Sequence, residues 1–438
     1  METLDWTYIA NSGKAVFLFG EEQKQKYYPT KAEHAEPAPL QIDEIVEIVN
    51  SFPRGASGSD FFNMILDSHP SLLTIGWHGL SSFPLLWKVF LKDKPVKEAL
   101  KHLRKPNGTT EERLKKVNLS NMLKYKYKGR LSAFLNGLSL YLESEKIYGL
   151  HDWFKAFYLS ANASVGRKFL QRISPSIFQD IHGMHQAVLM REFCIASGEN
   201  QNMLTEVMNG FKYKKYTGIV RSPLGSLGCW QNSLARGGKR EVSWRKSPFS
   251  ALKRYANVAC YRHYLKKGDP AFPFSCHVRF EDLKLYPRET TEKLCEFLRI
   301  PWSETCLHIT TNGEDSGIVD GTAGFDVTPV YKTHLEYMST LDYYRIELLN
   351  AKNFQVWGYK LKYYDGKKYT AEELKELFDA PFKVETQELD PERWPGWPNQ
   401  EEIKEFHEWI LKRALDVMEN GEPDYSVDKN GKPLRLVE

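Results

Sequence analysis

Small and hydroxyl side chains are concentrated at residues 51–60, which read Ser-Phe-Pro-Arg-Gly-Ala-Ser-Gly-Ser-Asp. Backbone N–H groups in such a loop can converge on an anion, and a following helix adds the positive end of its dipole. Arg54 supplies a fixed positive charge with forked donors, and Ser57 and Ser59 supply hydroxyls. Residues 53–60, called the anion loop below, therefore predict a cradle for phosphate or sulfate. An ordinary tight turn between strand and helix is the alternative.

The anion loop differs from that of the nucleotide triphosphatases. Their loops need Lys followed by Ser or Thr, which hold the phosphates and magnesium. Here Ser59 and Asp60 follow Gly58, and the loop contains no lysine. This weighs against ATP or GTP hydrolysis. It is compatible with a phosphosulfate donor, whose transfer needs no bound metal.

The segments around the anion loop alternate between strand and helix patterns. Runs rich in β-branched residues predict strands, and apolar residues at helical spacing predict helices. This alternation predicts an α/β fold with a parallel central sheet flanked by helices. The expected strands are 45–52, 216–221 and 275–280, and the expected helices are 60–70, 222–234 and 287–298.

We divide the 438 residues into three parts. Residues 1–40 form an N-terminal segment and linker, residues 41–364 the main domain, and residues 365–438 a helical C-terminal extension. Within the domain, residues 93–210 are expected to be mainly helical and to shape an acceptor region. Rings in this interval and just before it either stack on an acceptor or belong to the core; they are Trp87, Trp153, Phe154, Phe157 and Tyr158.

Composition narrows the class of partner and the compartment. The net charge of +4, from 60 basic and 56 acidic residues, makes nucleic acid an improbable partner. The six cysteines are scattered without a CxxC pair, which favours reduced thiols in the cytoplasm and neither zinc nor disulfides. The N-terminus lacks the pattern of a signal peptide. Residues 71–91 are nearly uncharged but include Pro and Gly, so a buried strand and loop fits better than a membrane span.

Three segments in order resemble the sulfotransferase family that uses 3′-phosphoadenosine 5′-phosphosulfate (PAPS). Residues 53–70, from Pro-Arg-Gly to Leu-Asp-Ser-His-Pro, resemble its 5′-phosphosulfate loop. Residues 218–230 resemble its 3′-phosphate motif, and residues 278–302 are similar to a segment late in its core. A further stretch, residues 321–359, is similar to the end of the fold. The resemblance covers roughly residues 45–360. It implies a P-loop-like sulfotransferase architecture of the soluble, bacterial type.

The resemblance also assigns donor contacts. Arg54 stands two residues further from Ser-Gly-Ser than the family pattern places it, and Asp60 replaces a hydroxyl residue. Arg221 matches the arginine that anchors the 3′-phosphate, whereas Cys229 falls where serine is usual, so Ser226 or a backbone amide is an alternative donor. The implied donor residues are Arg54, Gly55, Ala56, Ser57, Gly58, Ser59, Asp60, Phe61, Arg221 and Cys229. Phe61 or Phe62 would stack on adenine, with at least one of the two in the core.

The reaction implied is in-line attack of an acceptor hydroxyl on sulfur, which releases adenosine 3′,5′-bisphosphate (PAP). Arg54 would stabilise the leaving side. Histidine suits the general base because its ordinary pKa lies near neutral pH. His182 ranks first and His185 second, since both follow a short strand between the two donor motifs, with Asp180 near enough to orient an imidazole. His78 or a glutamate stays open as the base.

The acceptor could be a glycan, a phenol or a lipid-linked hydroxyl, and the sequence does not distinguish them. Two other functions remain open. A nucleotide-dependent, kinase-like enzyme on the same fold would need magnesium-dependent ATP turnover. A catalytically inactive PAP-binding module is suggested by Asp60 and Cys229, which stand where the family has hydroxyls.

Overall fold

The structure is a computed structural model of the whole chain, and its description covers part of it. The described residues are 40–52, 57–74, 83–104, 131–164, 176–180, 210–236, 275–311, 325–331, 338–356, 359–386 and 398–421, with 207, 252, 314 and 315. Of the N-terminal segment expected at 1–40, Leu40 alone is among them.

A five-stranded sheet lies at the centre of the described chain, and every pair of neighbouring strands in it is parallel. The strand order is β2-β3-β1-β4-β5. This confirms the predicted α/β class with a parallel sheet. The strands are β1 Glu47–Phe52, β2 Leu72–Thr74, β3 Ser176–Asp180, β4 Tyr213–Val220 and β5 Ser275–Arg279, and a separate antiparallel pair is β6 Thr310–Thr311 and β7 Glu314–Asp315.

Helices cover the sheet, and short 3₁₀ or π-helical turns connect some of them. The α-helices are α1 Ser59–Leu66, α2 Phe83–Leu86, α3 Val96–Arg104, α4 Leu131–Tyr141, α5 Leu150–Ser164, α6 Pro223–Arg236, α7 Phe280–Leu285, α8 Pro287–Leu298, α9 Thr328–Tyr331, α10 Thr340–Val356, α11 Ala371–Asp379 and α12 Gln400–Asn420. The 3₁₀ turns are Ile42–Glu44, Glu304–Leu307 and Lys383–Thr386, and the π-helical turn is Trp87–Leu91.

Successive strand residues point into two different cores, as the two-residue period of a strand requires. Val49 and Leu72 join a buried cluster with residues of α1, α6, α7 and α8. Their neighbours Ile48 and Leu73 join a second cluster with residues of α3, α4 and α5. Helices therefore pack on both faces of the sheet, and such a sheet places loops and ligand sites at its edges rather than on its faces.

Helix α8 spans the predicted residues 287–298. Pro287 fits its first turn because the missing N–H would have no helical partner there. The helix ends at Arg299, whose φ of 59° is left-handed. The other predicted bounds differ by a few residues: α1 is shorter at its carboxyl end, β4 begins earlier, and the last residue expected in β5 opens α7 instead.

The interval 93–210 contains α3, α4 and α5 as expected, and also β3, which pairs with β2 on one side and β1 on the other. β3 is the short strand expected before His182, and the other elements described in this interval are helices. The rings on α5 have exposed fractions of 1% or less and pack in the helical core; they are Trp153, Phe154, Phe157 and Tyr158. The core alternative holds for these four.

The helices expected in a C-terminal extension pack on the main core. Leu374, Phe378, Phe406 and Ile410, from α11 and α12, belong to the same buried cluster as Val49 of β1. Capping boxes begin both helices, as residue pairs Thr370/Glu373 and Asn399/Glu402. The boundary predicted at residue 364 stays a prediction.

The weakly charged stretch 71–91 folds as β2, α2 and the π-helical turn, with residues 75–82 outside the described part. This agrees with a buried strand followed by other short elements. None of the helices in the described ranges combines the length and apolar character that crossing a bilayer requires.

Candidate functional site at the carboxyl edge of the sheet

The connections from β1 and β4 leave these neighbouring strands in opposite directions. That from β1 passes through α1 towards β2, and that from β4 passes through α6 towards β5. A change of direction of this kind opens a crevice beyond the carboxyl ends of the strands, where α/β proteins bind ligands. The register sets Ser51 of β1 beside Asp180 of β3 and Thr217 of β4. β1 therefore ends between the ends of β3 and β4, and the anion loop follows it in the sequence.

Gly58 is the residue of the anion loop that directly precedes α1. Its backbone is left-handed, with φ of 92°. Its carbonyl accepts the first helical hydrogen bond, from Phe62 N at 2.9 Å. A Cβ atom at this position would clash with the ring of Phe280 on α7. Both the backbone angle and the close approach require glycine here. The first N–H groups of α1, which have no partner within a helix, follow directly and favour a nearby anion.

Arg221 follows β4 directly and lies with its guanidinium against Phe280. Its Cζ is 4.5 Å from the centroid of that ring, and only 5% of the residue is exposed. One Nη donates a hydrogen bond to the carbonyl of Pro329 at 2.8 Å. Gly225 lies beside the side chain, at a distance where a Cβ would be in ordinary contact, 3.4 Å from Arg221 Nε. The fold thus fixes this cation next to the start of α1.

A buried carboxylate, Glu281 on α7, joins this region to two distant segments. Its Oε1 accepts a hydrogen bond from Ser222 N at 2.9 Å, and its Oε2 accepts one from the Tyr359 hydroxyl at 2.8 Å. Burial raises the pKa of Glu281, while these hydrogen bonds and the charge of Arg221 lower it. Glu281 therefore holds the backbone residue that follows Arg221.

A second buried cation, Lys284, lies one turn further along α7. Its Nζ is 3.8 Å from the centroid of Phe61 and 5.6 Å from that of Phe280. Phe61 also meets Phe280 and Phe325 edge to face, with centroids 6.2 and 5.3 Å apart. Burial lowers the pKa of Lys284 to about 8, the charge of Asp326 opposes this, and that of Arg221 adds to it. Two cations and three rings thus surround the entry to α1.

Seven of the ten predicted donor residues are among the described ones; Ser57 is buried, and Ser59 and Asp60 begin α1. Gly58, Phe61 and Arg221 all contact Phe280. Cys229 lies further along α6 and is half-buried. The predictions that lie outside the described residues concern Arg54, Gly55, Ala56, His78, His182 and His185.

The two neighbouring phenylalanines of α1 differ in burial. Phe62 is fully buried in the cluster that covers the sheet, whereas Phe61 packs at its border and faces Lys284. The expectation that at least one of them belongs to the core is confirmed. Phe61 is left as the ring that can meet a ligand from this helix.

Sequence reasoning missed the roles of Glu281 and Lys284. The resemblance placed residues 278–302 late in the core of the fold, and the buried ion pair between Arg279 Nε and Asp282 Oδ2, at 2.7 Å, belongs to that core. The same short helix also carries the carboxylate and the ammonium described above. The signal available was three charged residues in the six of α7, directly after a strand of the sheet.

Buried soft side chains also meet away from this edge. The ligand atoms of His69, Cys295 and Cys306 lie within 4.8 Å of one another. Ser71 N donates to His69 Nδ1 at 3.1 Å, so the neutral ring carries its proton on Nε2, which faces the carbonyl of Pro301 at 3.0 Å. The neighbouring Cys306 and burial raise the pKa of Cys295. We interpret these three side chains as core packing rather than a metal site, because His69 directs an N–H, and not a lone pair, towards the cysteine sulfurs.

Comparison with known proteins matches the chain to solved structures. No protein-family model and no curated protein matches the chain. Among solved structures, the chain is similar to the sulfotransferase domain from the curacin biosynthetic pathway, with 14% identity and a TM-score of 0.37 over 74% of this chain and 100% of that one. It is also similar to the sulfotransferase domain from the Synechococcus PCC 7002 olefin synthase, with 15% identity and a TM-score of 0.31 over 68% and 88% of the two chains. Similarity at this level does not assign an activity.

Proposed function

We propose that the chain binds PAPS at the carboxyl edge of its sheet and transfers the sulfonate group to a hydroxyl acceptor. The observation that carries the proposal is the meeting of Gly58, Phe61 and Arg221 around Phe280, where β1 and β4 end. These residues come from two of the three segments that resemble the sulfotransferase motifs. Phe280 and Glu281 come from the third.

The geometry suits a nucleotide with two anionic ends. The start of α1, preceded by the glycine at its N-cap, favours the 5′-phosphosulfate. Arg221 favours the 3′-phosphate, because a buried guanidinium makes strong hydrogen bonds to phosphate oxygens. Anchoring both ends fixes the line along which the acceptor oxygen must attack. On this proposal Arg54 and the N–H groups of the loop stabilise the charge that develops on the leaving phosphate.

The proposed base is His182, with His185 as the second candidate. β3 lies directly beside β1, and its last residue, Asp180, is in register with Ser51. His182 follows that strand by two residues in the sequence, and on this proposal its imidazole acts at the same edge. A base there would take the proton of the acceptor hydroxyl as its oxygen attacks sulfur, and PAP would leave on the opposite side.

A second candidate function is binding of the bisphosphate without catalysis. Asp60 lies in the first turn of α1, where a negative charge competes with a bound anion for the helix dipole. A site used only for binding tolerates such a residue better than a site that must stabilise a developing charge. The acceptor proposed for the transfer reaction is a hydroxyl of a glycan, of a phenol or of a lipid-linked group.

Transfer of labelled sulfonate from PAPS to a panel of hydroxyl acceptors tests the proposal. We expect turnover without added metal, and at least about a 100-fold loss in His182→Ala or His185→Ala, the usual contribution of a general base. Tight bisphosphate binding without transfer to any acceptor would support the binding module. Magnesium-dependent ATP turnover would instead support the kinase-like alternative.

A further inference from the structure

Two cations from separate segments meet around one ring in the candidate site. Arg221 Cζ lies 4.5 Å from the centroid of Phe280, and Lys284 Nζ lies 5.6 Å from the same point. The two residues are only 5% and 6% exposed. Because Lys284 also lies 3.8 Å from the ring of Phe61, it faces the first turn of α1. The family motifs quoted above include Arg221 but give Lys284 no role.

Carboxylates lie near both cations: Glu281 interacts with the charge of Arg221, and Asp326 interacts with that of Lys284. Burial lowers the pKa of Lys284 to about 8, the carboxylate of Asp326 raises it, and the charge of Arg221 lowers it. The influence of Arg221 means that the two cations repel each other. On the same helix Glu281 is hydrogen-bonded to Ser222 and Tyr359. A bound anion would relieve the repulsion, and in a buried setting that attraction is strong.

The carboxylates near Lys284 have partners of their own. Asp326, which precedes α9, accepts hydrogen bonds from the Thr328 amide and hydroxyl at 2.9 and 2.7 Å. Asp282, on α7, forms a buried ion pair with Arg279. Two buried cations that both lie over the ring of Phe280 suit a group with two negative charges, such as a phosphate monoester, better than a singly charged one.

We propose that Lys284 and Arg221 bind one phosphate monoester together, the 3′-phosphate of the nucleotide, and that Lys284 makes the site selective for nucleotides that carry it. The inference rests on the proposed function, because it takes the nucleotide from there. A bound dianion stabilises the protonated amine. Affinity for PAP should therefore fall as pH rises through 8, where free Lys284 loses its proton.

Calorimetric titration with PAP and with adenosine 5′-phosphate between pH 6.5 and 9.5 tests this inference. The variants are Lys284→Met, which keeps the stem but removes the charge, and Lys284→Arg, which stays charged throughout. Lys368→Met, at an exposed position, removes the same charge elsewhere and is the control. The phosphate is already close to dianionic at pH 7, so its own titration adds little above that.

We expect Lys284→Met to weaken PAP binding about 10-fold at pH 7 and to leave adenosine 5′-phosphate within about 2-fold, as loss of one charged hydrogen bond predicts. Wild-type affinity for PAP should fall about 10-fold from pH 7 to 9.5 and stay level in Lys284→Arg. Equal preference for PAP in wild type and Lys284→Met, or a flat wild-type profile, would overturn the inference while leaving the proposed function intact. Absence of PAP binding to wild type at every pH would overturn both.

Discussion

The carboxylate of Glu281 accepts a 2.9 Å hydrogen bond from the backbone amide of Ser222, the residue after Arg221. The same carboxylate accepts the hydroxyl of Tyr359 at 2.8 Å. The partners are 59 and 78 residues away along the chain. This contact fixes the turn between β4 and α6, and with it the cation that the proposal assigns to the 3′-phosphate.

Removing the Tyr359 hydroxyl tests this positioning. Tyr359→Phe leaves a buried carboxylate oxygen without its donor, which should cost about 1–3 kcal/mol of unfolding free energy. It should also weaken PAP binding more than adenosine 5′-phosphate binding, because Arg221 shifts. Denaturation and titration measure the two effects. Tyr369→Phe, which removes a hydroxyl paired with that of Tyr344 in a half-buried setting, should leave the nucleotide preference unchanged.

Gly58 should tolerate no side chain. Gly58→Ala adds the cost of a left-handed non-glycine residue, about 1–2 kcal/mol, and a clash with Phe280, typically a further 1–3 kcal/mol. Gly366→Ala is the matched control, since Gly366 has φ of 84° and open space around it. Urea denaturation should show the larger loss for Gly58→Ala, together with loss of PAP binding. Equal losses in the two variants would contradict the close packing described here.

The rings of α5 should matter for stability rather than for the choice of acceptor. Phe157 is fully buried and meets Phe83 and Phe134 edge to face at 5.3 and 5.2 Å. Phe157→Ala should lose about 3–5 kcal/mol in denaturation. Leu140→Ala on α4, at a residue that is 69% exposed, should change little. A stable Phe157→Ala protein with altered acceptor preference would return this ring to the acceptor site.

His407 should make stability depend on pH. Its Nε2 lies 2.9 Å from Glu385 Oε2 and its Nδ1 lies 3.0 Å from the Phe378 carbonyl. The hydrogen bond to Glu385 raises the pKa of His407, and burial opposes the rise. Because the folded value is raised, the stabilisation is complete below about pH 6.5 and is lost as pH rises through the folded pKa.

The comparison is between wild type and His407→Gln. The difference in unfolding free energy should be about 1 kcal/mol at low pH, typical of a partly exposed pair, and should shrink as the solution becomes alkaline. His102→Gln, at an exposed histidine 3.5 Å from Glu98, should show a smaller effect. A difference that grows with pH would contradict the assignment.

The sequence revealed local features better than non-local ones. The helix at 287–298 was predicted because its proline and its apolar spacing are encoded within it. The place of β3 beside β1 was not, since its five residues carry little periodic signal and strand order depends on long-range pairing. Phe61 and Phe62 are adjacent and chemically identical, so tertiary packing alone decides which is core.

For the candidate site, the sequence predicted Arg221 and the glycine-rich loop because each is a local pattern, and Arg221 and Gly58 both contact Phe280. It missed Glu281, whose partners lie in two other segments, and Lys284, whose setting depends on rings from α1 and α7. Charge and burial together mark such residues, and burial of a polar side chain is the harder of the two to infer from one sequence.

The most direct test of the central claim is the affinity of wild type and Arg221→Met for PAP and for adenosine 5′-phosphate, measured without magnesium. The account predicts that wild type binds PAP at least about 10-fold more tightly and that Arg221→Met loses this preference, as removal of a charged contact to one phosphate requires. Equal affinity of wild type for the two nucleotides would contradict it.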